Sequence, residues 1–314
     1  MDTISPLSKK KSLDIFFREH NISKYVLGTA QLGQSYGIAN RDGVPDRDRS
    51  RAIVMNAWGA GARCFDTAQG YGRSEAVLGQ ALSDSGISHD TLVITKLRSD
   101  HDPSSPEWVA SSVMDSLQYL NITSLFGVML HRYDWIQYLD GTLGDELRQL
   151  RDQGLIRYLG ISVYTVEEVV TALEHPDVDI VQAPCNLWNP ELYLDEIFEY
   201  AVRLEKCVFV RSIYLQGLLL MNPSDVAIRL PHAEKASEVW HAICTGYGCT
   251  PEDLCMRFVA ALPAPIVIGA DNEVQAAKNG KITDVKPLTR KEIEMIYEEM
   301  RLYLFNEIIN PSLW

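Results

Sequence analysis

Short runs of consecutive apolar residues recur along the chain, each followed by a turn and then by a longer amphipathic stretch. Eight such runs centre on Tyr25–Gly28, Arg63–Asp66, Leu92–Lys96, Gly127–His131, Arg157–Ser162, Ile180–Ala183, Val208–Ser212 and Ile266–Ile268. Runs without polar alternation suit strands covered on both faces. Between them lie helical patterns at Arg47–Trp58, Tyr71–Leu82, Pro106–Leu120, Leu143–Gln153, Thr165–Leu173, Asp195–Glu205 and Ala233–Thr245. This rhythm predicts parallel strands joined by crossover helices.

Helix punctuation agrees. Thr165 stands before Glu167 and Glu168, acids suited to a helix N-terminus. Pro106 suits a first helical turn, and Gly154 a left-handed helix end. Residues 217–232 read as a long loop, and residues 289–309 as an extra C-terminal helix with a tail to Trp314.

An open doubly wound sheet would carry a G-x-G-x-x-G turn after its first strand. Gly28-Thr-Ala-Gln-Leu-Gly33 lacks that spacing. The expected fold is therefore α/β: a (β/α)8 TIM barrel in one domain, residues 25–314, behind an N-terminal extension, 1–24. The 314 residues are enough, since such barrels take about 250.

Composition narrows the function. The net charge is −13, and the only basic cluster is Lys9-Lys10-Lys11, which gives nucleic-acid binding no electrostatic support. No apolar run approaches the ~18 residues of a membrane span, and residues 1–24 lack a secretory pattern. Six cysteines in a chain of this length read as reduced thiols of a cytoplasmic protein. His241, Cys244, Cys249 and Cys255 lack the paired spacing of a zinc motif, so no metal is expected.

The candidate chemistry lies at strand ends. Asp66, Lys96 and His131 each stand where an apolar run stops, and Tyr71 follows Asp66 by five positions. In a parallel barrel, that is where catalytic groups are placed. A free phenol has a pKa of about 10, and a nearby cation would lower it. Lys96 could supply that charge, Asp66 could aim it, and His131 could offer an N–H to the same substrate oxygen. The set holds no nucleophile–base pair. It suits hydride addition to a carbonyl, with the hydride coming from a cofactor.

These residues bring out a family likeness. The chain resembles the aldo-keto reductases at Phe65-Asp66-Thr67-Ala68, Tyr71-Gly72-x-Ser74-Glu75-x-x-Leu78-Gly79, Thr95-Lys96 and Leu130-His131. The likeness continues through Leu159–Ser162, Gln182 with Asn186, Leu215–Leu219, and Val267–Ala270 with Gln275 and Asn279. It implies a barrel, a nicotinamide cofactor and a tetrad. In that tetrad Tyr71 donates the proton, Lys96 and Asp66 tune it, and His131 orients the carbonyl.

By the same resemblance, Ser162 and Gln182 hold the nicotinamide carboxamide. Many members have Asn after that serine, where this chain has Val163. Asn186 could compensate or could cap a loop. Arg211 stands where many members stack an aromatic on the nicotinamide; it could hold a pyrophosphate or substrate carboxylate, or pair with a neighbouring acid. Ser212, Leu215 and Gln216 follow the pyrophosphate-side pattern. Gly269, Asp271, Gln275 and Asn279 match the adenosine end, where backbone N–H groups suit a phosphate. Many members carry Lys or Arg near positions 271–272. Here they are Asp271 and Asn272, so the family favours NADP(H) and Asp271 keeps NAD(H) as the alternative.

Substrate contacts are expected from Gln34, Tyr36, Tyr133, Trp188 and Asn186, with Trp135, Tyr214 and Trp314 also near the mouth. Polar Gln34 and Asn186 favour a sugar or another small polar carbonyl. The expected function is reduction of an aldehyde or ketone to an alcohol. The alternatives are a cofactor-sensing regulatory subunit and a dehydrogenase working in the oxidative direction. The sequence carries no signal for oligomeric state.

Overall fold

The structure, a computed structural model, describes residues 14–41 and 43–314. Lys9–Lys11 and residues 1–13 of the expected extension lie outside the described residues. A hairpin comes first: β1 (Ile15–Phe17) pairs antiparallel with β2 (His20–Ile22). Eight parallel strands follow: β3 (Tyr25–Gly28), β4 (Cys64–Asp66), β5 (Leu92–Lys96), β6 (Leu125–Leu130), β7 (Ile156–Ser162), β8 (Ile180–Pro184), β9 (Cys207–Arg211) and β10 (Ile266–Gly269). They pair in chain order, and β10 closes the barrel on β3. All eight expected strands are present, because each is an apolar run buried between the barrel interior and the helices outside it.

Side chains alternate between those two environments. Leu27, Phe65, Val93 and Ile268 point outward into the layer under the helices. Val26, Cys64, Ile94, Met129, Tyr158, Ile180, Phe209 and Val267 fill the interior. Two residues further on, the same parity turns Gly28, Asp66, Lys96, His131, Gln182, Arg211 and Gly269 inward at the carboxyl end. Ser162 shares that parity, four residues after Tyr158. The register aligns this end: Gly28 lies beside Asp66, Ser162 beside Gln182 and Gly269 beside Gly28.

The opposite end is stoppered by the hairpin. Phe17 and Ile22 pack on the interior cluster, and the His20 ring meets Phe126 and Tyr158. Arg18 pairs with Asp179 at 2.8 Å.

Most helices follow the expected pattern. Thr165 and Glu168 form a capping box on helix Val166–Glu174, and Gly154 has φ +75° after helix Thr142–Asp152. Helix Pro251–Ala261 is tied down by Lys24, whose Nζ donates to Ala260 O at 2.9 Å and Leu262 O at 2.6 Å.

Two expectations need correction. Residues 217–232 are not a plain loop, because Pro223–Arg229 is helical with Pro at its first turn. The C-terminal helix is shorter than expected. It runs Arg290–Met300, and the chain then breaks into short turns before helix Asn306–Ile309. Leu304 and Phe305 are extended there, so the periodic pattern did not mark a single helix.

Candidate active site

Asp66 and Lys96 are both inside the inward layer, 3% and 1% exposed. Lys96 Nζ donates to both Asp66 oxygens at 2.7 Å and to Thr67 O at 3.0 Å. Gln182 Nε2 donates to Asp66 Oδ1 at 2.8 Å. Tyr71 sits on the turn before helix Ser74–Asp84, with its ring centroid 5.3 Å from Lys96 Nζ. His131 meets the Tyr71 ring edge-on, with centroids 5.8 Å apart.

Glycines set the position of Tyr71. A Cβ on Gly33 would fall 1.8 Å from Tyr71 O, and one on Gly72 would fall 2.4 Å from Gly33 O. Only glycine lets the loop after β3 and the Tyr71 turn approach so closely. Ser74 Oγ completes the contact by donating to Thr29 O at 2.7 Å.

The electrostatics differ from the sequence expectation. Lys96 is engaged by Asp66, and burial lowers its pKa against the pull of that carboxylate. Burial raises the Tyr71 phenol well above its ordinary value and the Asp66 charge adds to this, while Arg211 opposes it. The phenol is therefore held protonated rather than acidified. Burial, then the charges of Lys96 and Arg211, push His131 down to about 4, so its imidazole is neutral near neutral pH.

A cleft of about 480 Å³ starts at Asp66 and Tyr71 and runs out over the β10–β3 side of the barrel. Gly28 and Gly269 are adjacent in that layer and both line the passage, with the Gln31 side chain packed against Gly269. At its far end are Gly269, Asp271, Gln275 and Asn279. Several donors there are already used. Gln275 Oε1 accepts from Asp271 N at 2.7 Å, and Asn272 Oδ1 accepts from Gln275 N at 2.9 Å. Asn279 Nδ2 donates to Gly269 O at 3.1 Å.

The family model for the aldo/keto reductase family matches residues 24–299. The chain belongs to the aldo/keto reductase family. It is therefore an oxidoreductase of a family that acts on small carbonyl substrates with nicotinamide cofactors. Among curated proteins, it is 27% identical over 214 residues to D-arabinose 1-dehydrogenase of Saccharomyces cerevisiae, a match spanning 64% of this chain and 62% of the yeast protein. It is 24% identical over 300 residues to the uncharacterised oxidoreductase YqkF of Bacillus subtilis, spanning 87% and 95% of the two chains. Among solved structures, the glycerol dehydrogenase of Gluconobacter oxydans superposes with a TM-score of 0.72 at 22% identity, covering 96% and 98%. The aldose reductase of Schistosoma japonicum gives 0.63 at 19% identity, covering 91% of each chain. These two likenesses concern the barrel fold.

The other expected site residues fall into two groups. Tyr36, Gln182, Arg211, Ser212 and Gln216 line the cleft. Ser162 is buried at the end of β7. Ser212, Leu215 and Gln216 have φ of +60°, +48° and +53°, a tight backbone course against the loop carrying Gly37. Leu215 is wholly buried and contributes packing.

The second group is drawn elsewhere. Asn186 donates from Nδ2 to Ser212 O at 3.2 Å, and its Oδ1 accepts from Trp188 N and Asn189 N. Its polar atoms are thus spent holding a loop, which corrects the expected substrate contact. Trp188 is 1% exposed and packs against Trp240, also a correction. Trp135 is 2% exposed and packs on Trp108. Tyr133 packs on the outer core, and Gln34 closes the short helix Ala30–Gly33 by donating its N–H to Ala30 O; neither lines the cleft. Tyr214 lines the cleft, and Trp314 is fixed by its Nε1 to Glu307 O.

Cleft residues that escaped the sequence reading include the polar side chains of Gln31, Asn40, Lys278 and Glu252. Gln31 and Asn40 follow β3, and Lys278 and Glu252 form an ion pair at 2.5 Å beside the cleft. Gln31 lies in the short helix just after β3, close in sequence to a strand end. The other three are brought in by loops and helices far apart in sequence.

Among the described residues, no helix is long and apolar enough to cross a membrane.

Proposed function

We propose that this aldo/keto reductase is NAD(P)H-dependent and reduces a small polar aldehyde or ketone to an alcohol, with Tyr71 as the proton donor. The observation that carries this reading is the convergence of Tyr71, His131 and the Asp66–Lys96 pair at one end of the cleft. When bound, a reduced nicotinamide supplies the hydride. Ser162, Gln182, Ser212 and Gln216 are the residues that would hold it.

The neutral His131 imidazole can donate an N–H to the substrate carbonyl and polarise it. The oxygen gains negative charge as the carbon becomes tetrahedral. Tyr71 then transfers its phenolic proton. A raised pKa does not prevent this, because an alkoxide is far more basic than a phenolate. Lys96 stabilises the phenolate left behind, and Asp66 keeps the ammonium in place.

The family's prevalent cofactor is NADP(H), and Asp271 at the adenosine end makes NAD(H) a competent second choice. Asn40 Nδ2 reaches Asp271 Oδ1 at 3.3 Å, which orients that carboxylate at the cleft wall. The sugar substrate named for the yeast relative supports a hydroxylated carbonyl and leaves room for the oxidative direction. A panel of aldehydes, ketones and sugars, followed by reduced-cofactor absorbance with NADPH and NADH, tests the proposal. Turnover of a polar carbonyl is expected, and inertness across the panel would refute it.

A further inference from the structure

Arg211 is a charge in the inward layer that has no ion-pair partner among the described residues. Asp66 is matched by Lys96, Tyr71 is neutral, and His131 is neutral near pH 7. Arg211 ends β9 with the same parity as Phe209, which turns it toward the interior. Its guanidinium lies over the Tyr164 ring at 4.5 Å. One amino group donates to Val163 O at 3.0 Å and the other to Ser212 Oγ at 3.2 Å. Among the described residues no carboxylate pairs with it. Its charge disfavours protonated Lys96 and protonated His131, so it works against its own neighbours. A partly buried cation held rigidly without a counter-ion is costly by itself and favourable once an anion arrives.

Its place is equally specific. Arg211 borders the cleft with Tyr71 and also a second cavity of about 240 Å³. That cavity lies between Tyr164–Thr165 and the C-terminal segment at Asn306 and Pro311. Glu167 and Glu191 line the second cavity, so an anion is favoured at Arg211 and not deeper within. Thr165, Asn189 and Asn306 offer hydrogen-bonding groups to neutral hydroxyls there.

We propose that Arg211 is a substrate-anion site, and that the natural substrate is a hydroxylated carbonyl compound bearing a carboxylate or a phosphate monoester. A guanidinium's remaining N–H groups fit either anion through two parallel hydrogen bonds. This deepens the carbonyl-reductase reading and rests on it for the identity of the reacting group. Arg211 selects the substrate and stays outside the proton transfer.

Binding and turnover separate the two. Calorimetry with the NADP⁺-saturated enzyme, and again with NAD⁺, compares D-glucuronate, D-glucose 6-phosphate and D-glucose. The expected result is that one anionic sugar binds at least about 30-fold more tightly than D-glucose, within the range known for closely paired charges. Arg211→Gln should reduce that ratio to near one, and Arg211→Lys should restore part of it. Which anion gains identifies carboxylate or phosphate. If all three sugars bind alike, or if Arg211→Gln weakens them equally, Arg211 is a structural prop and the inference is overturned. Should Arg211→Gln fail to fold, the wild-type ratio and the Arg211→Lys ratio decide. Reduction of D-glyceraldehyde by a wild type that binds D-glucuronate and D-glucose 6-phosphate no better than D-glucose would leave the carbonyl-reductase reading standing and remove this one. Selective anion binding that Arg211→Gln abolishes, with no turnover of any carbonyl, would leave the anion site at Arg211 standing and remove the carbonyl-reductase reading.

Discussion

Lys96 Nζ lies 2.7 Å from both carboxylate oxygens of Asp66, in a layer from which water is almost excluded. The pair therefore supports both the fold and the chemistry. Removing one partner of a buried pair leaves the other charge without compensation, at a cost of about 3–5 kcal/mol. Lys96→Met and Asp66→Leu should each lose about that much stability in urea unfolding. The double variant should lose clearly less than the sum, because no orphaned charge remains. Additive losses would mean that the two side chains are not coupled. Turnover should be lost in all three.

His131 links pH to stability. Its folded pKa is lowered to about 4, against an ordinary value of 6.5. Between those values the unfolded chain binds a proton that the folded chain does not. The contribution of this position is thus full above pH 6.5 and declines as pH falls toward 4. Urea unfolding of the wild type and His131→Gln at pH 7.5 and pH 4.5 checks this. The wild type should lose more stability than the variant over that interval. Equal losses would show that His131 titrates normally in the folded protein.

Asp271 sits at the cleft end that would take the adenosine half of a dinucleotide. A carboxylate there repels a 2′-phosphate and can accept from a free 2′-hydroxyl. The kcat/KM values for NADPH and NADH should lie within about tenfold of each other, a difference of about 1.4 kcal/mol. Asp271→Lys should shift the ratio at least about tenfold toward NADPH. A wild type that already prefers NADPH by three orders of magnitude would mean that Asp271 does not face this group.

The barrel was legible because each strand is buried on both faces and carries its own turn signals. Parity then carries the reading to the inward side chains: once Cys64 and Ile94 are interior, Asp66 and Lys96 must be too. The hairpin was not legible, because strands of three residues give no periodicity, and its two buried apolar anchors, Phe17 and Ile22, are too few to make a pattern. Helix Pro223–Arg229 hid for a related reason. Val226 is its buried residue, while Ile228 is 80% exposed, so its apolar pattern misleads. Asn186 and Trp188 look in sequence like mouth residues. Whether such side chains face a ligand or anchor a loop depends on contacts such as Ser212 O and Trp240. The protonation of Tyr71 was misread for the same kind of cause: the sequence places a cation nearby and does not show that Asp66 has claimed it.

The central claim is that Tyr71 gives its proton to the reduced carbonyl, and Tyr71→Phe tests it most directly. The variant keeps the ring that packs against His131 and removes only the hydroxyl. With the best substrate from the carbonyl panel, kcat/KM should fall by about 10²–10⁴, the usual contribution of a positioned acid. The dissociation constant for the cofactor, read by fluorescence titration, should stay within about twofold, because the phenol is assigned no part in holding it. An unchanged kcat in Tyr71→Phe would contradict the account.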